Sequence, residues 1–276
     1  MESTPYEKLE VQGRRIGRII WKLSSKHRTR AVANLTLAYP EMPAAERLAL
    51  AERVLEHFGI VTADFLAASK RTEEQFYATT DVEGWEHFEE AYAMGKGIVL
   101  ITGHFGNWER MSEYVTRRGF VLSVVARDAS DVRMNQMVNN LRSHTGTRVI
   151  PRGNAARPMI EALRRNELVG ILPDQNSDEI FLPFFGHPAG TVLGPGVIAE
   201  RTGAPVVPMF CVRTGPGRYK IIVRPIVVPP PPTDTKGEST MLAIHQELEA
   251  TIRKYPEQWL WFHDRWKSAR QRGLTP

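Results

Sequence analysis

Residues 103–110 read GHFGNWER, and a histidine followed five positions later by a carboxylate offers a general base with an orienter. Imidazole changes charge near neutral pH, and a carboxylate beside it fixes its tautomer and supports the cation formed when it accepts a proton. On a continuous helix His104 and Glu109 would point to different faces, at ~100° per residue. A strand-to-helix turn lets them meet. Gly106 and Asn107 suit such a turn, and Glu109 would then sit in the first helical turn, where the dipole favours an anion. The expectation is His104 as base and Glu109 as its partner. Three further polar residues fall near strand ends or a buried helix face. Arg127 follows FVLSVVA, Asp174 follows LVGIL after one proline, and Arg142 adjoins Leu141. A cation such as Arg142 can hold a carboxylate or phosphate.

Other chemistries lack their residues. Neither HExxH nor G-x-S-x-G occurs in the chain, so the sequence suggests no metal site and no serine nucleophile on its elbow. Its single cysteine, Cys211, lies inside an apolar strand pattern and reads as a buried, inert thiol. Gly194-Pro195-Gly196 reads as a helix start, although its backbone N–H groups could also meet an anion.

The elements that must position these residues form an α/β pattern. From Gly97 onward, short β-branched runs (97–102, 120–126, 168–172, 204–212) alternate with amphipathic stretches such as Met134, Met137, Val138 and Leu141, or Met159, Ile160 and Leu163. That alternation predicts a mainly parallel central sheet flanked by helices on both faces. His104, Arg127 and Asp174 would then share the carboxyl edge of one sheet, where open α/β sheets bind ligands. Residues 219–228 read as a late strand, with Pro225 marking an edge or a break. The proline-rich run at 227–240 reads as a stiff connector. Residues 1–75 are expected to be helical and 97–267 to form the α/β core, all within one domain spanning 1–276.

Composition narrows the class. The chain has 276 residues, 42% hydrophobic and 24% charged, with Lys plus Arg at 36 against 31 for Asp plus Glu. The modest basic excess fits phosphorylated lipid, an acidic carrier protein or nucleic acid alike and does not choose among them. Nucleic-acid binding is disfavoured because the basic residues gather at one terminus without a recognition motif. No apolar run reaches the ~18 residues of a spanning helix, and the N-terminus lacks a secretory signal. Ile16, Ile19, Ile20 and Leu23 form a helical stripe among Arg14, Arg15, Arg18 and Lys22. Such a helix suits an anionic membrane surface, or else docks on the core as an ordinary solvated helix. The segment YPEQWLWFHDRWK (255–267) has two readings: aromatic rings packing along lipid, or a terminal helix capping the core.

HFGNWE (104–109) resembles the His-x4-acid motif of the lysophospholipid acyltransferase superfamily. With LVGILPDQN (168–176), residues 183–208 and PEQWLWFHDRWK (256–267) in order, the chain is similar to the lipid A biosynthesis lauroyl/myristoyl acyltransferases. The resemblance implies a lysophospholipid acyltransferase-like fold, His104 and Glu109 as catalytic residues, and substrate contacts at Arg127, Arg142, Asp174 and Gln175. It implies an O-acyltransferase that needs no cofactor. Such an enzyme takes acyl chains from acyl-carrier-protein thioesters and passes them to a glycolipid, a Kdo-bearing lipid A precursor, at the cytoplasmic face of the inner membrane. Two alternatives stand beside it: transfer from acyl-CoA to another glycolipid such as a phosphatidylinositol mannoside, and a non-catalytic lipid-binding relative. The chain departs from that pattern in lacking an N-terminal apolar anchor and in carrying Asn176 where an acidic residue often follows Asp-Gln.

Overall fold

The computed structural model describes residues 6–126, 132–229, 231–233 and 235–276. Helices α1 (Tyr6–Leu23), α2 (Ser25–Ala38), α3 (Ala44–Leu66) and α4 (Glu73–Ala78) come first. Pro43 precedes α3, as its fixed φ allows at a helix start. Next come β1 (Thr80–Glu83), α5 (Trp85–Ala93), β2 (Ile98–Ile101), α6 (Trp108–Arg117), β3 (Leu122–Ala126), α7 (Val132–His144), β4 (Arg148–Pro151), α8 (Ala156–Arg164) and β5 (Leu168–Ile171). A small antiparallel hairpin, β6 (Ile180–Phe184) and β7 (His187–Thr191), precedes α9 (Gly194–Thr202). The chain closes with β8 (Val206–Gly215), β9 (Arg218–Val223), α10 (Glu238–Lys254) and α11 (Lys267–Gln271).

Seven strands form one sheet in the order β1-β9-β8-β2-β5-β3-β4. Every neighbouring pair is parallel except β8 with β9. The expected α/β architecture is therefore present, mainly parallel, with a helical N-terminal segment. Strand β2 explains why the sheet is covered on both sides. All four of its residues are buried. Val99 and Ile101 point into one apolar cluster with Phe210, Ile244 and Trp259, while Ile98 and Leu100 point into the other with Met111 and Met209. The period-2 alternation of a strand distributes an unbroken apolar run to two cores.

Two details differ from the sequence expectation. Strand β1 and helix α5 add a sheet edge that the hydrophobic pattern did not reveal, since only Thr80 of β1 is buried. Strand β9 stops at Val223 and lies between β1 and β8, so Pro225 marks a break beyond an interior strand. Helix α1 rests on α3 with almost no gap. A Cβ at Gly13 would lie 2.5 Å from the Ile60 Cα, and one at Gly17 only 2.3 Å from the Leu55 carbonyl oxygen. Only glycine permits that approach.

Candidate active site

Strands β2 and β5 are adjacent and in register at Ile101 and Ile171. His104 and Asp174 each lie three residues past that pair, so equal exits from neighbouring parallel strands bring them together. His104 Nδ1 lies 2.8 Å from Asp174 Oδ1, and the His104 backbone N–H donates to Oδ2 at 2.7 Å. The Trp259 indole N–H donates to the same Oδ2 at 2.8 Å. The Asp174 side chain is 1% exposed and that of His104 25%. Burial alone would raise the Asp174 pKa. The His104 charge and hydrogen bonds, with the Trp259 bond, outweigh it and hold the carboxyl at about 2. An ionised carboxylate only accepts, so the Nδ1 facing it carries a proton. In the neutral imidazole Nε2 is then the basic nitrogen, and the Gln175 side-chain nitrogen stands 3.3 Å from it.

Glu109 has other partners. Asn107 caps α6 by accepting from the Arg110 N–H at 3.0 Å, and Gly106, with φ +57, turns the chain into that helix. The first turn of α6 thus carries Glu109 toward α7. There Arg142 Nη2 donates to Oε1 at 2.5 Å and Nε to Oε2 at 3.1 Å, while the Trp108 indole donates to Oε1 at 3.1 Å. Among the described residues no hydrogen bond joins Glu109 to His104. In the structure the carboxylate that orients His104 is Asp174, where the sequence pointed to Glu109.

Both pairs face one cavity of about 700 Å³ above the carboxyl edge of the sheet, lined by His104, Glu109, Arg142 and Gln175. Its remaining wall is mostly apolar, including Val124, Val125, Met159, Ile171 and Ile198. The start of α9 at Gly194 and Pro195 also borders it. An apolar cleft with a few convergent polar groups is the usual form of a small-molecule site.

Comparison with known proteins decides the family. Residues 1–268 match the model of the bacterial lipid A biosynthesis acyltransferases. The chain belongs to that family. It is 27% identical to the lipid A biosynthesis lauroyltransferase of Escherichia coli K12 over 270 residues, covering 96% of this chain and 87% of that protein. It is 24% identical to a lipid A biosynthesis acyltransferase of Haemophilus influenzae over 255 residues, 90% of this chain and 78% of the relative. A phosphatidylinositol mannoside acyltransferase of Mycobacterium tuberculosis is 26% identical over 193 residues, 67% of this chain and 59% of its own length. The chain is accordingly an O-acyltransferase of the lipid A family.

Within this family member, His104, Glu109, Arg142, Asp174 and Gln175 meet at one site, whereas Arg127 lies outside the described residues. Asn176 borders the same cavity and also ties the C-terminal segment to it. Its backbone N–H donates to His263 Nε2 at 3.0 Å, and its side chain exchanges hydrogen bonds with Ser268 at the head of α11. Cys211 is fully buried, and burial pushes its thiol up to about 12.

The aromatic C-terminal segment is core, and it is not a continuous helix. Trp259, Trp261 and Trp266 are buried, and after a 3-10 turn over Pro256–Gln258 the chain pairs with the 104–106 turn through an isolated antiparallel bridge between Trp259 and Phe105. Gly106 N–H donates to the Gln258 carbonyl at 2.8 Å, and Leu260 N–H to that of His104 at 3.1 Å. Trp259 is the site residue that sequence reasoning missed. Its signal was a tryptophan whose indole needs a buried acceptor.

Proposed function

We propose that this acyltransferase moves a fatty acyl chain from an acyl-carrier-protein thioester to a hydroxyl of a Kdo-bearing lipid A precursor, with His104 as general base. The observation that carries the reading is the His104–Asp174 pair, with Nδ1 on the carboxylate and the ring bordering a largely apolar cavity. The acceptor hydroxyl displaces Gln175 from Nε2 and gives its proton to the imidazole as its oxygen attacks the thioester carbonyl carbon. Asp174 stabilises the imidazolium. The tetrahedral intermediate collapses, the C–S bond breaks, and the imidazolium returns its proton to the departing thiolate. No covalent enzyme intermediate is needed. The apolar wall suits the acyl chain. Arg142, held by Glu109 through Nε and Nη2, serves as a fixed cation for the oxygens of donor or acceptor, with Gln175 and Arg127 as further substrate contacts. Glu109 in this scheme acts through Arg142.

The reaction belongs at the cytoplasmic face of the inner membrane, reached from the surface. No described helix is long and apolar enough to cross a membrane. Helix α1 turns its glycines to α3 and leaves Val11, Ile16, Ile19 and Leu23 exposed, with Arg15 and Lys22 exposed on neighbouring positions. A helix docked by its small residues with its apolar stripe outward suits an anionic bilayer surface.

The test is to incubate purified protein with acyl-carrier and acyl-CoA thioesters, offering Kdo-bearing lipid A precursor or phosphatidylinositol mannoside on anionic vesicles. Transfer from the carrier to the lipid A precursor is expected, falling ~10²–10⁴-fold in His104→Ala. Transfer confined to acyl-CoA and the mannoside would select the chemistry named for the mycobacterial relative. Undiminished turnover in folded His104→Ala would remove the base. Replacing Ile19 and Leu23 with Glu should weaken vesicle binding, and unchanged co-sedimentation would detach α1 from the membrane.

A further inference from the structure

The 103–107 turn shows His104 to the cavity and rests its other side on α3. Three consecutive residues are held there. The Gly106 carbonyl faces the buried His57 imidazole, Trp108 stacks on Phe58 with centroids 6.2 Å apart, and Asn107 Nδ2 donates to Asp64 Oδ2 at 2.8 Å. The Asn107 amide cannot turn, because its Oδ1 caps the Arg110 N–H. Asp64 is equally constrained. Arg71 Nη2 donates to its Oδ1 at 2.7 Å, and Arg110 Nη1 lies 3.4 Å away. Arg71 also reaches Glu113 at 3.1 Å.

Asp64, Glu113, Arg71 and Arg110 thus form a charge network with side chains at most 5% exposed, which the partly exposed Arg117 joins through Glu113 at 2.8 Å. None of the four lines the cavity. Replacing such a buried network by apolar residues is often neutral or stabilising, so its presence calls for a role in fixing geometry. The geometry it fixes is that of the turn carrying His104.

We infer that Asp64 is a positioning residue for acyl transfer, holding Asn107 and through it the His104 turn in the reactive geometry. The inference rests on His104 being the general base. Misplacement of a reacting group by ~1 Å can cost ~10²-fold in rate, which gives a remote clamp its leverage.

The hydrogen-bond pattern supplies a sharp test. Both Asp64 oxygens accept, one from Arg71 and one from Asn107. In Asp64→Asn the amide can satisfy only one of them and sets N–H against N–H at the other. In Asn107→Asp two carboxylates face each other. Combining the substitutions restores the bonds to Arg71 and between positions 64 and 107, and gives up only the long contact of Arg110 Nη1 with Oδ2 at 3.5 Å. The new amide at position 64 donates to the new carboxylate at position 107, and its carbonyl accepts from Arg71. That carboxylate still caps the Arg110 N–H. The Tyr219 hydroxyl beside position 107 can donate as well as accept.

Each single variant should lose ~10–100-fold in kcat, with KM for both substrates changed by less than ~3-fold, and the double variant should return to within ~3-fold of wild type. Asp64→Glu keeps the charge and both acceptors but shifts them by one methylene. It should fold and still lose ~10-fold in kcat, so the test survives if Asp64→Asn does not fold. Normal kcat in folded Asp64→Asn or Asp64→Glu, or a double variant no better than the singles, overturns the inference. His104→Ala run alongside separates the two failures. If it is active, the base assignment falls; if it is dead while the Asp64 variants are normal, only the clamp falls.

Discussion

Two charged pairs border the same cavity, and they are built for different tasks. His104–Asp174 joins an imidazole, which can both accept and release a proton, to a carboxylate that is 1% exposed and receives three N–H donors. Glu109–Arg142 joins a carboxylate to a guanidinium that never gives up its proton, with side chains 10% and 19% exposed. The first pair can take up a proton and hand it on. The second can only keep a charge in place. A His-x4-acid spacing therefore does not say which carboxylate serves the histidine. The partner comes from the next strand.

The most damaging way to break this contrast is Asp174→Asn. Two donors, the His104 backbone N–H and the Trp259 indole, are fixed on Oδ2, so the amide must place its carbonyl there and its NH2 group against His104 Nδ1. Nδ1 then has to accept, the proton moves to Nε2, and the base is lost. The expected fall in kcat is ~10²–10⁴-fold, comparable with His104→Ala. Glu109→Gln keeps the shape and loosens Arg142 without touching the tautomer, so its loss should be ~10-fold. Steady-state rates of both variants decide the matter. If Glu109→Gln is as damaging as His104→Ala while Asp174→Asn is mild, Glu109 is the partner of the base after all.

A second contrast sets His104 against the histidines that lack a carboxylate of their own. Burial, with Arg213 and Arg265 respectively, lowers His57 and His245 to about 3, and burial lowers His263 to about 4. The unfolded chain protonates these imidazoles below ~6.5 whereas the folded chain does not, so their neutral burial costs stability as pH falls from there toward about 4. Asp174, depressed to about 2, adds a further loss as pH drops through the ordinary carboxylate range. Both effects have the same sign. Thermal midpoints should decline steadily from pH 7 to pH 5, before carboxylates titrate, and a flat profile over that interval would contradict the neutral burial.

Much of this site was legible before the fold was known. The α/β alternation and the strand-end positions of His104 and Asp174 follow from apolar runs that stop where polar residues begin. The pairing of those two residues was not legible, because it depends on β5 lying beside β2 in register, a long-range choice that local pattern does not encode. Trp259 was hidden for a related reason. Its aromatic neighbours suggested a capping helix or a lipid face, yet backbone bonds tie Gln258 and Leu260 to the turn at Gly106 and His104. Strand β1 escaped notice because three of its four residues are exposed. Helix α1 was read correctly as amphipathic, but only the structure shows that its glycines face the protein while Ile16 and Ile19 are exposed.

The smallest effect expected in this series belongs to Trp259, and it tests whether the support of Asp174 extends into the core. Trp259→Phe keeps an aromatic ring among Phe184, Phe185 and Trp261 but removes one of the two donors on Asp174 Oδ2. A hydrogen bond to a charged group contributes ~1.5–3 kcal/mol, and its loss leaves a buried anion less satisfied. Stability should therefore fall, and kcat should drop ~3–10-fold because the carboxylate no longer holds the imidazole as firmly. A purely structural tryptophan predicts the same loss of melting temperature with kcat unchanged. The pairing with Asp174→Asn separates the two. Residues that act through one carboxylate are non-additive, so Trp259→Phe in the Asp174→Asn background should cost little further activity. Equal multiplicative losses in both backgrounds would make Trp259 a core residue that only happens to touch the site.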